Sequence, residues 1–183
     1  MLSKRLDKIS PSCTIGISSK VKEMKKSGVD VTKGNIIADI GTDHGYVPIY
    51  LVEKGICPKA YAMDINQVPI ESAIKNIENY GLSEKIQAIK SNGLEKLEPE
   101  KADTIIIAGM GGELIVNILE NGLAKLENCS RPVKELVLSP HKRGDLVRKY
   151  LEEHKWHITD EKMLIDMNKF YTIIKAEKGQ ESY

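Results

Sequence analysis

The sequence is poor in aromatic residues. Its 183 residues include one Trp, one Phe and seven Tyr, so the core must be built mainly from Ile, Leu, Val and Ala. This length suits about one domain with a substantial core. The hydrophobic share of 41% and the charged share of 29% are ordinary for a soluble globular protein.

Cysteines are also few. Cys13, Cys57 and Cys129 are odd in number and widely spaced, which argues against a disulfide framework and a zinc site and favours a reducing cytoplasm. No run approaches the roughly 20 apolar residues that span a bilayer. No apolar stretch follows the N-terminal charges as it would in a signal peptide. We therefore expect a cytoplasmic protein with neither a metal nor a membrane partner.

An excess of charge of one sign is missing too, because the formal net charge is +1. The distribution is uneven, since residues 1–33 carry eight basic side chains against three acidic ones. This part reads as helix, break and helix, and such an arm could meet phosphate or could be a solvated amphipathic helix. We expect residues 1–34 to form a basic helical arm packed on a main domain of residues 35–183.

From residue 35 onward, strand-like and helix-like segments alternate. The predicted strands are Asn35–Ile40, Ala60–Asp64, Ile86–Lys90, Asp103–Ala108 and Glu135–Leu138. The predicted helices are Val47–Lys54, Val68–Tyr80, Glu113–Leu126 and Lys142–His154. The last two apolar runs, Trp156–Ile165 and Lys169–Ala176, predict a β-hairpin. The fold class is therefore α/β, with a seven-stranded, mostly parallel sheet and a C-terminal antiparallel hairpin, which resembles a Rossmann-like class I methyltransferase.

The stretch from Ile36 to Pro48 reads I-I-A-D-I-G-T-D-H-G-Y-V-P. An apolar strand stops at Gly41 and a helical pattern resumes after Gly45, so this turn lies at the carboxyl edge of the sheet, where ligands bind. The spacing is G-x-x-x-G rather than the dinucleotide motif G-x-G-x-x-G. Asp39 and Asp43 would repel phosphate but suit S-adenosylmethionine, which carries an ammonium and a sulfonium group. The alternative is a tight turn in which Asp43 caps the following helix.

Two further turns at this edge carry polar side chains. Asp64 ends the second predicted strand, where an acidic residue commonly accepts hydrogen bonds from ribose hydroxyls; it could also cap the next helix. Asn92 follows the third strand and could bond an adenine edge, although Asn92-Gly93 is equally a strong turn dipeptide.

The turns after the fourth and fifth strands are the remaining candidates. Residues 108–112 read A-G-M-G-G, so a flat base could approach their backbone closely, or they could be a flexible connection. Ser139-Pro140-His141 follows the fifth strand, and His141 could act as a base, as a stacking group or as an ordinary exposed histidine. The role of His44 is open in the same way.

These motifs together resemble those of the bacterial tRNA adenine-N1-methyltransferases that modify position 22. The matching segments are 2–6 (L-S-K-R-L), 38–48, 92–94 (N-G-L), 107–112 (I-A-G-M-G-G) and 161–174. The resemblance implies a methyltransferase domain that uses S-adenosylmethionine to methylate N1 of a tRNA adenine. We expect direct SN2 transfer, because N1 of neutral adenine has a lone pair, and the tRNA would be the partner.

The resemblance also implies site residues. The cofactor would be held by the turns after the first three strands, at Asp39, Gly41, Asp43, His44, Gly45, Asp64, Ile65, Asn92, Gly93 and Leu94. The tRNA would meet the N-terminal arm and the next two turns, at Arg5, Gly109, Met110, Gly111, Gly112, Pro140 and His141. Asp43 and His141 are the candidate catalytic residues, with Asp43 stabilising the cationic product or removing its proton.

The sequence departs from the family at several places. Gly45, Asn92 and Ser139-Pro140-His141 stand where the family usually has alanine, aspartate and Q-P-N, and we expect this chain to lack the family's helical C-terminal extension. Other hypotheses are a methyltransferase with another RNA or small-molecule acceptor, a non-catalytic RNA-binding module, and an NAD-dependent oxidoreductase. The absent G-x-G-x-x-G motif and the closing hairpin count against the oxidoreductase.

Overall fold

The computed structural model describes Val21 and residues 30–166 and 168–179. The predicted helices of the N-terminal arm lie outside these residues, apart from Val21, and so does Arg5.

Seven strands form one sheet in the order β3-β2-β1-β4-β5-β7-β6. The strands are β1 (Ile37–Ile40), β2 (Ala60–Asp64), β3 (Ile86–Lys90), β4 (Thr104–Met110), β5 (Glu135–Pro140), β6 (Trp156–Asp166) and β7 (Lys169–Lys178). Strands β1 to β5 are parallel to one another, and β7 is antiparallel to both β5 and β6. The predicted mostly parallel sheet with an antiparallel C-terminal hairpin is confirmed.

Four helices of the described part cover the two faces of the sheet. They are α1 (Tyr46–Glu53), α2 (Gln67–Asn79), α3 (Gly112–Glu127) and α4 (Gly144–Glu153). Within the described residues, none of the helices is both long and apolar enough to span a bilayer.

The core lies in two layers, one on each face of the sheet. Ile105 and Ile107 of β4 pack in the cluster that contains α3 and α4, whereas Ile106 packs in the cluster that contains α1 and α2. Successive side chains of a strand point to opposite faces, so a strand covered on both faces must be apolar throughout. This explains the unbroken apolar runs of the central strands.

Some boundaries differ from the predicted ones. β4 and β5 each run two residues further than predicted, to Met110 and Pro140, because pairing resumes at these two residues after an irregularity next to Ala108. The prediction that α4 starts at Lys142 was wrong, since Arg143 has a left-handed φ of 57° and the helix begins only after it.

Two buried carboxylates lie at the amino ends of β4 and β5. Asp103 accepts hydrogen bonds from the Ile36 amide at 2.8 Å and from Arg131 Nε and Nη2 at 3.0 and 2.7 Å. Glu135 accepts one from Thr104 Oγ1 at 3.0 Å. Both carboxylates therefore have hydrogen-bond partners from neighbouring segments, as buried polar groups require. This edge is therefore a structural one, and the opposite edge carries the candidate site.

Candidate functional site

A cavity of about 330 Å³ opens at the carboxyl edge of the sheet. It lies over the ends of β1 to β4, and chain order changes direction between β1 and β4. Open α/β sheets bind ligands at such a switch point. The lining residues are Ile40, Gly41, Asp43, Asp64, Ile65, Asn66, Ser91, Asn92, Gly93, Ala108, Gly109, Met110, Leu114, Asn117 and Ile118.

The Asp64 carboxylate joins two walls of this cavity. Its Oδ2 accepts a hydrogen bond from the Asp43 amide at 3.2 Å, and its Oδ1 accepts one from the Asn66 amide at 3.0 Å. An ionised carboxylate has about four acceptor positions, so the buried group can still accept from ligand hydroxyls. Asp64 is not the N-cap residue of α2, because Asn66 occupies that position without a capping bond from its own side chain; the Asp64 carboxylate binds the amide of this N-cap residue instead.

The two aspartates of the first turn have different surroundings. Asp39 is buried and accepts a hydrogen bond from Thr42 Oγ1 at 2.8 Å, so it fixes the turn from inside. Asp43 lies on the cavity wall and has a left-handed φ of 56°. The N-cap residue of α1 is Gly45 and not Asp43. Asp43 is thus the carboxylate of this turn that a ligand would meet.

Two glycines let this turn approach its neighbours. Gly41 has a φ of +74°, and a Cβ placed on it would overlap Met110 Cε on the adjoining turn. Gly45 has a φ of +78°, and its Cβ would lie 3.2 Å from Ala73 Cβ of α2. Both positions combine a backbone that favours glycine with a close contact. Gly41 therefore shapes the cavity directly, whereas Gly45 packs the turn against α2.

His44 and Leu94 are predicted site residues that do not line the cavity. His44 Nδ1 lies 2.7 Å from Ser72 Oγ, and the His44 carbonyl accepts a hydrogen bond from Asn76 Nδ2 at 2.9 Å. The side chain of Leu94 is buried against Gly122 of α3. His44 thus fastens the first turn to α2, and Leu94 contributes to the core beneath the cavity.

The turns after β4 and β5 are bonded to each other. The His141 amide donates to the Met110 carbonyl at 2.9 Å, and the Gly112 amide donates to the Lys142 carbonyl at 2.8 Å. A Cβ on Gly112 would overlap the Arg143 carbonyl oxygen, so only glycine fits there without a backbone shift. The two turns form one rigid rim beside the cavity.

The predicted residues of these two turns divide between the cavity and its rim. Gly109 and Met110 line the cavity. Gly111 and Gly112 follow on the rim, with buried Pro140 and exposed His141 beside them.

Several cavity residues were missed by the sequence analysis. Ser91 is buried, and its Oγ donates to the Gly93 carbonyl at 3.0 Å and accepts from the Lys96 amide at 3.1 Å. Leu114 and Asn117 of α3 line the wall, with buried Ile118 beside them. Their spacing of i, i+3 and i+4 places them on one helix face, but only the tertiary structure shows that this face meets the cavity. Asn66 carried no signal, and Ala108 was noted only as the first residue of the 108–112 turn.

The strongly shifted groups lie away from the cavity. Burial raises the pKa of the Cys57 thiol to about 12, and burial also raises the pKa of the Tyr150 phenol to about 12. Both side chains belong to the core clusters, so these shifts follow from packing and not from a reactive site. In the described part of the chain, no three His, Cys, Asp or Glu side chains are grouped as metal ligands would be.

Known proteins resemble this chain over most of its length. Residues 19–174 match the family described as methyltransferase domain. The tRNA (adenine(22)-N(1))-methyltransferase of Bacillus subtilis is 37% identical over 149 residues, which cover 81% of this chain and 61% of that protein. The chain spans about three fifths of the length of three curated relatives that it matches.

Solved structures agree with this result. A Streptococcus pneumoniae protein solved in complex with S-adenosyl-L-methionine is 42% identical, with a TM-score of 0.80 over 88% of this chain and 74% of that one. M. capricolum TrmK, solved with S-adenosyl-homocysteine, is 31% identical, with a TM-score of 0.76 over 88% of this chain and 68% of that one. The chain therefore belongs to the methyltransferase-domain family and, within it, to the bacterial tRNA (adenine(22)-N(1))-methyltransferases.

Proposed function

We propose that this protein transfers the methyl group of S-adenosylmethionine to N1 of an adenine in tRNA, at position 22. The observation that carries the proposal is the cavity at the switch point of the sheet, with Asp43 and Asp64 on its wall. The relatives with this fold include a tRNA (adenine(22)-N(1))-methyltransferase and proteins solved with S-adenosylmethionine or its product. The widely spaced cysteines and a tRNA acceptor together favour a cytoplasmic enzyme.

The cavity residues fit the parts of S-adenosylmethionine. Asp64 would accept the ribose hydroxyls, and Asp43 would attract the positive charges of the methionine part. Ile65 and Leu114 are 55% and 51% exposed, and both line the cavity. An adenine bound in the cavity would cover these two apolar side chains, and Asn92 beside them offers donor and acceptor groups to the base edge.

The remaining predicted cofactor residues would act through the backbone or by holding the turns in place. Gly41 and Gly93 line the cavity with left-handed φ values of 74° and 56°, so the main chain comes close to the ligand there. Asp39, His44, Gly45 and Leu94 hold the turns in place.

The chemistry demands positioning more than acid–base catalysis. When bound, S-adenosylmethionine supplies a methyl group on a sulfonium centre. N1 of neutral adenine attacks with its own lone pair, so no residue has to remove a proton first. The new nitrogen–carbon bond forms as the carbon–sulfur bond breaks, and its electron pair stays on sulfur. Holding two reactants in line is worth on the order of 7–11 kcal/mol.

The acceptor would reach the cavity across the rim formed by the turns after β4 and β5. The target base has to leave its stack, which costs a few kcal/mol. The Gly109–Gly112 turn would let the base approach, His141 would stack on it, and Asp43 would stabilise the cationic product or take up its proton. Arg5 would contact phosphate.

The test is methylation of bulk unmodified tRNA with labelled S-adenosylmethionine, followed by digestion and identification of the labelled nucleoside. We expect N1-methyladenosine from the wild type. Asp64→Asn should weaken cofactor binding at least about tenfold, since loss of a buried charged acceptor costs 1.4 kcal/mol or more. His141→Ala should keep cofactor affinity and lose turnover.

The outcomes separate the parts of the proposal. Label in another nucleoside would contradict the adenine N1 assignment. Cofactor binding without transfer to any tRNA would assign the acceptor to another molecule. Unchanged cofactor affinity of Asp64→Asn would contradict the ribose contact.

A further inference from the structure

The β6–β7 hairpin runs past the end of the main sheet. β5 pairs with β7 only from Glu177 to Ile174, whereas β6 continues to pair with β7 as far as Lys169. Residues 162–166 and 169–173 therefore form a two-stranded ribbon. The last residue of β5, Pro140, is level with residue 172 of β7, because it lies two positions after the Leu138–Ile174 pair. The ribbon continues for three more residues, to Lys169, and so projects about 10 Å beyond β5. It projects from the carboxyl edge, which also carries the cavity.

One face of this ribbon carries three large apolar side chains. Met163, Ile165 and Phe170 are 66%, 66% and 67% exposed. Ile165 lies directly opposite Phe170, and Met163 is two positions from Ile165, so all three share a face. We call these three residues the apolar strip. Two-stranded ribbons are marginally stable in water, and contiguous exposed apolar groups commonly mark a contact surface.

The strip lies next to the rim of the cavity. Glu161, two positions before Met163, forms an ion pair with Arg148 of α4, so the strip lies on the α4 face, beyond the ion pair in the direction of the ribbon tip. The loop before α4 contains His141 and Lys142, which are bonded to the Met110–Gly112 turn. Cavity, rim and strip therefore follow one another along a single edge.

We propose that the apolar strip is part of the RNA-docking surface, with Phe170 stacking on an unpaired base of the tRNA that carries the target adenine. This inference rests on the proposed function and names the surface that receives its substrate. Proteins bind unpaired bases with aromatic side chains flanked by positive charge.

The charges near the strip suit a polyanion. Arg143 forms ion pairs with Glu113 at 3.4 Å and with Asp145 at 3.1 Å, which offsets one of their two negative charges. Lys142 on the rim and Lys169 at the base of the ribbon tip are exposed, and their ammonium groups would meet phosphates. Lys142 also extends across Gly111, between the cavity and the strip.

The size of the strip argues against a second protein as the occupant. Three side chains that are two-thirds exposed offer roughly 400 Å². A stable protein dimer needs about 800 Å² from each partner. A stacked base with its phosphate needs a much smaller contact surface than a protein partner does, and the strip is large enough for it.

The experiment measures binding of a labelled unmodified tRNA transcript by the wild type, Phe170→Ala, Phe170→Trp and Ile158→Ala. Ile158 is the matched control, because it lies on the same strand at the other edge of the sheet and is 40% exposed. We expect Phe170→Ala to raise the tRNA Kd about tenfold, and Phe170→Trp and Ile158→Ala to stay within about twofold of the wild type. Cofactor affinity and Tm should be unchanged in all four proteins, which shows that each is folded.

Each other outcome overturns the inference in a distinguishable way. Normal tRNA binding and methylation by Phe170→Ala would overturn this inference alone. A wild type that binds no tRNA would overturn the proposed function as well. If Phe170→Ala keeps its tRNA affinity but has a lower Tm, the strip stabilises the protein itself. If Phe170→Ala keeps its tRNA affinity but is a monomer where the wild type is a dimer, the strip binds a second copy of the chain.

Discussion

Gly41 and Gly112 both bring two turns of the site together, but by different contacts. A Cβ on Gly41 would meet the methyl end of Met110, which can rotate away, whereas a Cβ on Gly112 would meet the Arg143 carbonyl oxygen, which cannot. At Gly41 the left-handed φ is a second reason why glycine is favoured over other residues. A substitution at Gly41 should therefore change the cavity, and one at Gly112 should distort the rim.

Gly41→Ala is best compared with Gly81→Ala. Both positions have a left-handed φ, +74° and +68°, but a Cβ on Gly81 meets no atom within 4 Å. We expect each substitution to lower the free energy of unfolding by about 1–2 kcal/mol through backbone strain. Only Gly41→Ala should displace Met110 and weaken S-adenosylmethionine binding, by about tenfold or 1.4 kcal/mol. Urea unfolding and calorimetric titration measure the two effects; equal cofactor affinities would contradict this role of Gly41.

At the scale of elements, the amino edge holds the sheet together without taking part in the site. Asp103 is 3% exposed and ties the chain before β1 to the segment before β5 through Ile36 and Arg131. Loss of Arg131 leaves this carboxylate buried with fewer donors, which is costly.

Arg131→Ala should therefore lower the free energy of unfolding by about 1–3 kcal/mol, less than for a fully buried pair because Arg131 is half exposed. Lys149→Ala is the control, since its ion pair with Glu153 lies on the surface of α4 and should contribute almost nothing. Cofactor affinity should stay unchanged in both, because both sites lie away from the cavity. Equal stability of the two variants would show that the Asp103 pair is not a stabilising contact.

The sequence predicted all seven strands, because the apolar runs that indicate strands, and the helical segments between them, are local signals. It missed the last residues of β4 and β5, since Gly109 and Pro140 normally end strands and only the irregular pairing of the two strands keeps them in the sheet. Leu94 could not be separated from the site, because its burial depends on the distant Gly122.

The candidate site likewise contains residues that the sequence predicted and residues that only the structure reveals. Asp43, Asp64 and Asn92 follow strands in a recognisable order and were predicted. Leu114 and Asn117 reach the cavity only because α3 crosses behind the turn after β3. That crossing is a property of the tertiary structure.

At the scale of the whole molecule, the two edges of the sheet have separate tasks. The amino edge holds buried, paired carboxylates such as Asp103 and Glu135. The carboxyl edge carries the cavity, the rim of bonded turns and the projecting ribbon. Substitutions at the first edge should change stability, and those at the second should change binding and turnover.

The most direct test of the proposed function compares two tRNA transcripts in the presence of labelled S-adenosylmethionine. One transcript keeps the adenine at tRNA position 22, and the other has guanine there. The account predicts one N1-methyladenosine per molecule of the first transcript, mapped to position 22, and no label in the second. Equal labelling of both transcripts, or cofactor binding with no label in either, would contradict it.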